Sequence, residues 1–138
     1  MRFLIVDDDF YCCELLKAIF SPYGSSDFAF DGSEAISHFR RALEDDQPYD
    51  VIFLDVVMPG LSGLETLDCI RQIERGYNIH GSKRVKVMIV TGFDDPKLSI
   101  RTFQKDCERY LAKPFTPGQI LESVRELSDE FQLLPARK

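Results

Sequence analysis

Four short apolar runs in this chain end in residues that could do chemistry. Phe3-Leu4-Ile5-Val6 leads into Asp7-Asp8-Asp9, and Val51-Ile52-Phe53-Leu54 into Asp55. Val87-Met88-Ile89-Val90 leads into Thr91-Gly92, and Tyr110-Leu111-Ala112 into Lys113-Pro114-Phe115. If the runs are neighbouring strands of one sheet, these carboxylates, a hydroxyl and an ammonium converge on one rim. Carboxylates so close raise each other's pKa unless a cation neutralises them. Hard oxygen donors favour Mg²⁺, which keeps waters and binds through one or two carboxylates plus a phosphate. A carboxylate can also act as a nucleophile and form an aspartyl-phosphate. Cation, ammonium and hydroxyl would then share the charge of the transferred phosphoryl oxygens. The chemistry on offer is phosphoryl capture.

The elements that must position these residues are legible in the pattern. The runs are continuous rather than alternating, as strands covered on both faces read in a parallel sheet. Phe28-Ala29-Phe30 is a weaker strand that suits an edge. Between the runs lie helical stripes: Cys12, Leu15, Leu16 and Ile19, then Ala35, Ile36, Phe39, Ala42 and Leu43 opened by Asp31 with Glu34. Ser62 and Glu65 form a capping-box pattern ahead of Leu67, Ile70 and Ile73. Asp95-Pro96 precedes Ile100 and Phe103, and Thr116-Pro117-Gly118-Gln119 precedes Ile120, Val124, Leu127 and Phe131. Five strand-then-helix repeats with right-handed crossovers predict an α/β fold, a doubly wound, flavodoxin-like three-layer sandwich. Its five-stranded parallel sheet takes the order 2-1-3-4-5, and ligands bind such sheets beyond the strands' carboxyl ends.

Bulk properties narrow the class. At 138 residues the chain suits one domain with a real core. A net charge of −6 argues against a nucleic-acid or anionic-membrane surface. No apolar run approaches the roughly 20 residues that span a bilayer, and no signal peptide is read at the start, so a cytoplasmic location is expected. Cys12, Cys13, Cys69 and Cys107 form no C-x-x-C pair and, with only His38 and His80, no zinc spacing; they read as reduced thiols filling space.

Val6-Asp7-Asp8, Asp55-Val56-Val57-Met58-Pro59-Gly60, Val90-Thr91-Gly92 and Tyr110-Leu111-Ala112-Lys113-Pro114-Phe115 together resemble the signature of the response-regulator receiver family. The resemblance runs from about residue 2 to about residue 131, and sets a receiver domain at 1–132 with a tail at 133–138. It implies a bacterial two-component phosphoprotein in which Asp55 accepts a phosphoryl group from a histidine kinase or histidine phosphotransfer protein. Asp8 would bind Mg²⁺ directly, Asp7 mainly through water, and Asp55 and the backbone carbonyl of Val57 would complete the protein's ligands. Lys113 would pair with the phosphoryl oxygens, and the Lys113-Pro114 bond would be cis. Thr91 would swing onto the phosphoryl group and Tyr110 would change rotamer, altering the face of the fourth helix, fifth strand and fifth helix that meets a downstream protein. The family's members are switches that catalyse their own phosphorylation and dephosphorylation, not turnover enzymes. A stand-alone receiver of chemotaxis or phosphorelay type fits the length; a piece of a longer protein would read the same.

Plainer readings compete at several positions. Asp9 is taken as a helix cap, and Asp7 and Asp8 could be caps too. His38 reads as a surface histidine and His80 as a loop one. The connection Gly76–Arg84, with Arg75, Lys83, Arg84 and Lys86 giving local positive charge, is read as a solvated loop, with a partner contact as the other reading. Apolar Val57 and Phe93 are expected to shield an acyl phosphate from water. Two alternatives remain: a haloacid-dehalogenase-like phosphatase, for which Asp7-x-Asp9 is a partial match, and a flavodoxin-like binding module, whose phosphate loop three aspartates would repel.

Overall fold

The computed structural model describes residues 1–58, 60–92 and 107–127. The elements in chain order are β1 (Arg2–Val6), α1 (Phe10–Phe20), β2 (Ser25–Ala29), α2 (Gly32–Glu44), β3 (Val51–Leu54) and α3 (Gly63–Gly76). A single 3-10 turn (Gly81–Lys83), β4 (Lys86–Thr91), β5 (Arg109–Ala112) and α4 (Pro117–Arg125) follow. The last of these is the helix read fifth from the sequence; the one expected after Asp95-Pro96 lies outside the described residues. The strands form one parallel sheet in the order β2-β1-β3-β4-β5.

The continuous apolar runs resolve into two faces once the strand period of two is applied. Leu4, Val6, Ile52, Leu54, Val87 and Ile89 meet Ala35, Phe39, Leu67 and Ile70 of α2 and α3. Phe3, Ile5, Val51, Phe53, Met88 and Val90 meet Cys13, Leu16 and Phe20 of α1 and Ile120 and Val124 of α4. Phe20 packs its ring against Phe3 at 5.0 Å and Phe53 at 4.9 Å. That contact sets the rotation of α1: Cys13, Leu16 and Phe20 face the sheet and Leu15, expected on the buried stripe, is 46% exposed. The edge strand begins and ends earlier than its apolar residues suggested, leaving Phe30 outside it.

The helix starts follow their sequence signals. Asp9 caps α1 by accepting from the Tyr11 amide, and Asp31 caps α2 by accepting from the Glu34 amide. Ser62 with Glu65 and Thr116 with Gln119 are reciprocal capping boxes.

The start of α3 matters most for the rim. The Gly63 amide donates to the Val56 carbonyl at 3.0 Å, and a Cβ on Gly63 would sit 2.3 Å from the Asp55 carbonyl oxygen and 2.7 Å from Val56 Cα. Only glycine lets the helix press so closely on the loop after β3. Gly76, at the other end of α3, has nothing within 4 Å of such a Cβ. Gly63→Ala should therefore destabilise the fold by about 1–3 kcal/mol through overpacking, whereas Gly76→Ala should be neutral or slightly stabilising. Thermal unfolding of the two variants checks the contrast.

Candidate functional site

The rim is a consequence of register. Val6 pairs with Leu54, and Leu54 with Ile89, while Thr91 pairs with Ala112. The ladder then continues one residue beyond three strands. The Asp7 amide donates to the Ala29 carbonyl at 3.0 Å, the Asp55 amide to Val6 at 2.9 Å, and the Lys113 amide to Thr91 at 2.8 Å. Asp7, Asp55 and Lys113 are thus fixed through their own backbones, and Thr91 is the last residue of β4.

Asp7, Asp8 and Asp55 each present an oxygen within 4.8 Å of the others. Asp7 and Asp55 are buried and Asp8 is exposed. Lys113 reaches across them: its Nζ lies 2.6 Å from Asp7 Oδ2 and 3.6 Å from Asp55 Oδ2. Asp55 Oδ1 accepts from the Val57 amide at 3.2 Å, and the Thr91 side chain lies close enough to favour the ionised Asp55 carboxylate. The Lys113-Pro114 peptide is cis, as the resemblance implied.

The electrostatics are unbalanced. Burial pushes the Asp55 carboxyl above its ordinary value; Lys113 pulls it down and Asp7 pushes it up again. For Lys113, burial alone would lower the pKa, but the hydrogen bond to Asp7 and the charge of Asp55 outweigh it and hold the ammonium above its usual range. Three carboxylates face one ammonium, so ionised side chains leave a surplus of two negative charges. All three donors are hard oxygens, and that surplus suits a divalent cation; Mg²⁺ fits this donor set.

Asp9 stands apart from the cluster. Its carboxylate accepts from the Tyr11 amide at 3.0 Å, so the Asp7-x-Asp9 pattern does not assemble a second acid over the site. Val57 is 58% exposed at the rim while Val56 is buried. Phe93 and Pro59 lie outside the described residues. Tyr110 is partly buried on β5 against the α2–α3 side of the core. His38 is half-buried on α2, and exposed His80 contacts Asn78 Oδ1 at 2.8 Å. The cysteines are free thiols; burial pushes Cys12 and Cys13 up to about 12, which keeps them neutral fillers behind Asp7. Among the described residues no helix is long and apolar enough to cross a membrane.

Sequence reasoning missed a buried charge network at the opposite end of the sheet. Arg71 Nη1 donates to Glu74 at 2.8 Å and to the Val85 carbonyl at 2.9 Å, and its Nη2 donates to Glu108 at 3.0 Å. Glu74 accepts from the Val85 amide and Glu108 from the Val87 amide. A signal was present: Leu67, Ile70, Arg71 and Glu74 occupy one stripe at helical spacing, so two charges fall on an apolar face.

A family model described as the response regulator receiver domain matches residues 3–125. The response regulator MprA of Mycobacterium avium (strain 104) is 31% identical over 128 residues, which cover 92% of this chain and 50% of that protein. The chain spans about half the length of the curated relatives it matches. The solved receiver domain of the histidine kinase CKI1 from Arabidopsis thaliana, complexed with Mg²⁺ and BeF₃⁻, superposes with a TM-score of 0.77 at 25% identity, covering 91% of this chain and 88% of that one. The CheX-CheY-BeF3-Mg complex from Borrelia burgdorferi gives 0.80 at 22% identity, over 92% and 88% of the two chains. With the family match running through all five strands and every motif at the rim, the chain belongs to the response regulator receiver domain family of two-component systems.

Proposed function

We propose that Asp55 accepts a phosphoryl group from a phosphohistidine on a partner kinase or phosphotransfer protein, with Mg²⁺ held by Asp7, Asp8, Asp55 and the carbonyl of Val57. The observation that carries this reading is the buried Asp55 carboxylate held between Asp7, Asp8 and the Lys113 ammonium. When bound, Mg²⁺ supplies positive charge to the crowded carboxylates and to the incoming phosphoryl oxygens. A relative of known structure holds Mg²⁺ and BeF₃⁻ on the same fold, which supports the same donor chemistry here.

The chain's own residues account for the rest. An Asp55 oxygen attacks phosphorus, the P–N bond breaks, and its electron pair leaves with the imidazole. The Val57 amide orients the carboxylate for that attack, since it already donates to Oδ1. Lys113 stands where charge develops on the phosphoryl oxygens, and Thr91 turns its hydroxyl from Asp55 to one of them. Tyr110 follows Thr91 and alters the β5 side of the molecule, where a downstream protein docks. The product is a phosphorylated switch, formed and hydrolysed on the protein itself, in a cytoplasmic setting. Val57 stands at the rim, where its exposed isopropyl group restrains water near the acyl phosphate.

Incubation with Mg²⁺ and acetyl phosphate should add one phosphoryl group to the parent chain and none to Asp55→Asn, read by mass spectrometry of the intact protein and its peptides. A label retained in the variant would remove Asp55 as the acceptor. Phosphate loss from the labelled protein should quicken severalfold in Val57→Asn; an unchanged half-life would discard the shielding role.

Stability gives an independent readout. A carboxyl whose folded pKa is raised binds its proton more tightly in the native state, so its contribution favours the fold at low pH and is lost as pH rises through the folded value. Without Mg²⁺, Asp55→Asn should therefore melt above the parent at neutral pH, with the gap closing as pH falls through the carboxylate range. Added Mg²⁺ should raise the parent's Tm by more than the variant's.

A further inference from the structure

The connection between α3 and β4 does more than span a gap. Its residues Tyr77 to Val85 fold back over the C-terminal ends of α2 and α3 and wall two adjoining cavities at the amino end of the sheet, the end remote from the carboxylate rim. The first is a cleft of about 310 Å³ with apolar walls that include Phe39, Leu43, Tyr49, Ile79 and Val85, and with Lys83 and Asp46 both among its lining residues. The second is a cavity of about 180 Å³ lined by Arg71, Arg75, His80 and Arg84. Ile79 lines both, and their floors are joined by the Arg71–Glu74 ion pair, because Glu74 lines the cleft and Arg71 the cavity.

The charges around them do not cancel. Glu74 is committed to Arg71 and the Val85 amide, and Glu108 to Arg71, Arg84 and the Val87 amide. No carboxylate of the described residues lies within ion-pair distance of Arg75 or Lys83, both of which are exposed. Exposed Asp46 also lines the cleft, so Asp46, Glu74 and Glu108 stand against Arg71, Arg75, Lys83 and Arg84, and the one positive charge in excess falls on the side of the arginine-lined cavity.

We propose that the paired cavities form a binding site for a small amphipathic organic anion, an aromatic carboxylate or sulfonate whose apolar body fills the cleft while its charged group meets Arg75, Arg84 and Lys83. The cleft reaches the lower bound of ligand-sized pockets and has their usual lining, mostly apolar and aromatic with a few polar groups. Arginine is the side chain suited to a planar carboxylate, which it binds through two parallel hydrogen bonds. The buried pairs fix the floor in advance, so the ligand need not order it. The site shares no residue with the rim, and its occupancy does not depend on Asp55 chemistry.

The test uses the full chain and 1-anilinonaphthalene-8-sulfonate, an aryl sulfonate whose fluorescence rises when its rings leave water, with uncharged N-phenyl-1-naphthylamine as the control. Saturable binding of the anion is expected, tighter than that of the control and weakened by salt, with amide NMR shifts centred on residues 77–85. Phenylacetate should displace it. Charge reversal at two exposed positions, Arg75→Glu with Lys83→Glu, should weaken binding by about tenfold or more while leaving the Tm and the far-UV spectrum unchanged. Three results would overturn the assignment: no saturation at millimolar probe, indifference to charge reversal, or shifts centred instead on the exposed aromatic corner of Phe10, Tyr11 and Phe30.

Discussion

The contact of Lys113 Nζ with Asp7 Oδ2 at 2.6 Å joins residues 106 apart in sequence and closes a ring of charge across three strands. A buried carboxylate pair is unfavourable by itself, since desolvation and mutual repulsion both penalise the ionised form. The fold tolerates it because each member is pinned by backbone. The register of β1 with β3 places Asp7 beside Asp55, and the Lys113 amide is held by the Thr91 carbonyl. Strands buried on both faces make that register hard to slip, because a shift of one residue would exchange the two core faces. The core thus offsets the cost of a rim whose charge is only partly neutralised.

The opposite end of the sheet handles buried charge differently. There Glu74 and Glu108 meet Arg71 and Arg84, and the remaining acceptor capacity goes to the amides of Val85 and Val87. Breaking such a buried pair by removing one partner costs about 3–5 kcal/mol, because the other charge is stranded. The network ties α3 to the start of β4 and to Glu108, which immediately precedes β5. The paired charges of the network are matched two to two, while the other end of the sheet keeps a surplus of two negative ones.

Most of the fold and the rim was legible because both depend on local signals. Continuous apolar runs, capping boxes at Ser62 and Thr116, and polar residues at strand ends are read within a few residues, and parallel topology does the rest. What escaped the sequence depends on rotation and distance. Leu15 and Phe20 are both apolar on α1, and only the ring contacts of Phe20 with Phe3 and Phe53 decide which one is buried. Arg71 falls on an apolar stripe, but its partner Glu108 lies 37 residues away and no local pattern pairs them. The resemblance implied that Lys113 pairs with phosphoryl oxygens; that its ammonium lies nearer Asp7 than Asp55, by about one ångström, is a distance no motif encodes.

That difference bears on what a phosphoryl group must accomplish. Lys113 is engaged with Asp7, and Thr91, 1% exposed, lies beside Asp55. On the proposed mechanism a phosphoryl group would have to draw both side chains away from these neighbours. A hydrogen bond to a charged group is worth about 1.5–3 kcal/mol, while moving a two-state equilibrium from 1:99 to 99:1 needs about 5.5 kcal/mol. The two bonds proposed from Lys113 and Thr91 to phosphoryl oxygens would reach that figure only if the contact that Lys113 gives up were returned in kind. A cation on Asp7 would do so, by taking over the charge that Lys113 gives up. On the proposed mechanism the switch would be an exchange: with a cation held by Asp7, Lys113 could turn to the phosphoryl oxygens, and the free energy of the transition would be the difference between two sets of ionic contacts on one rim.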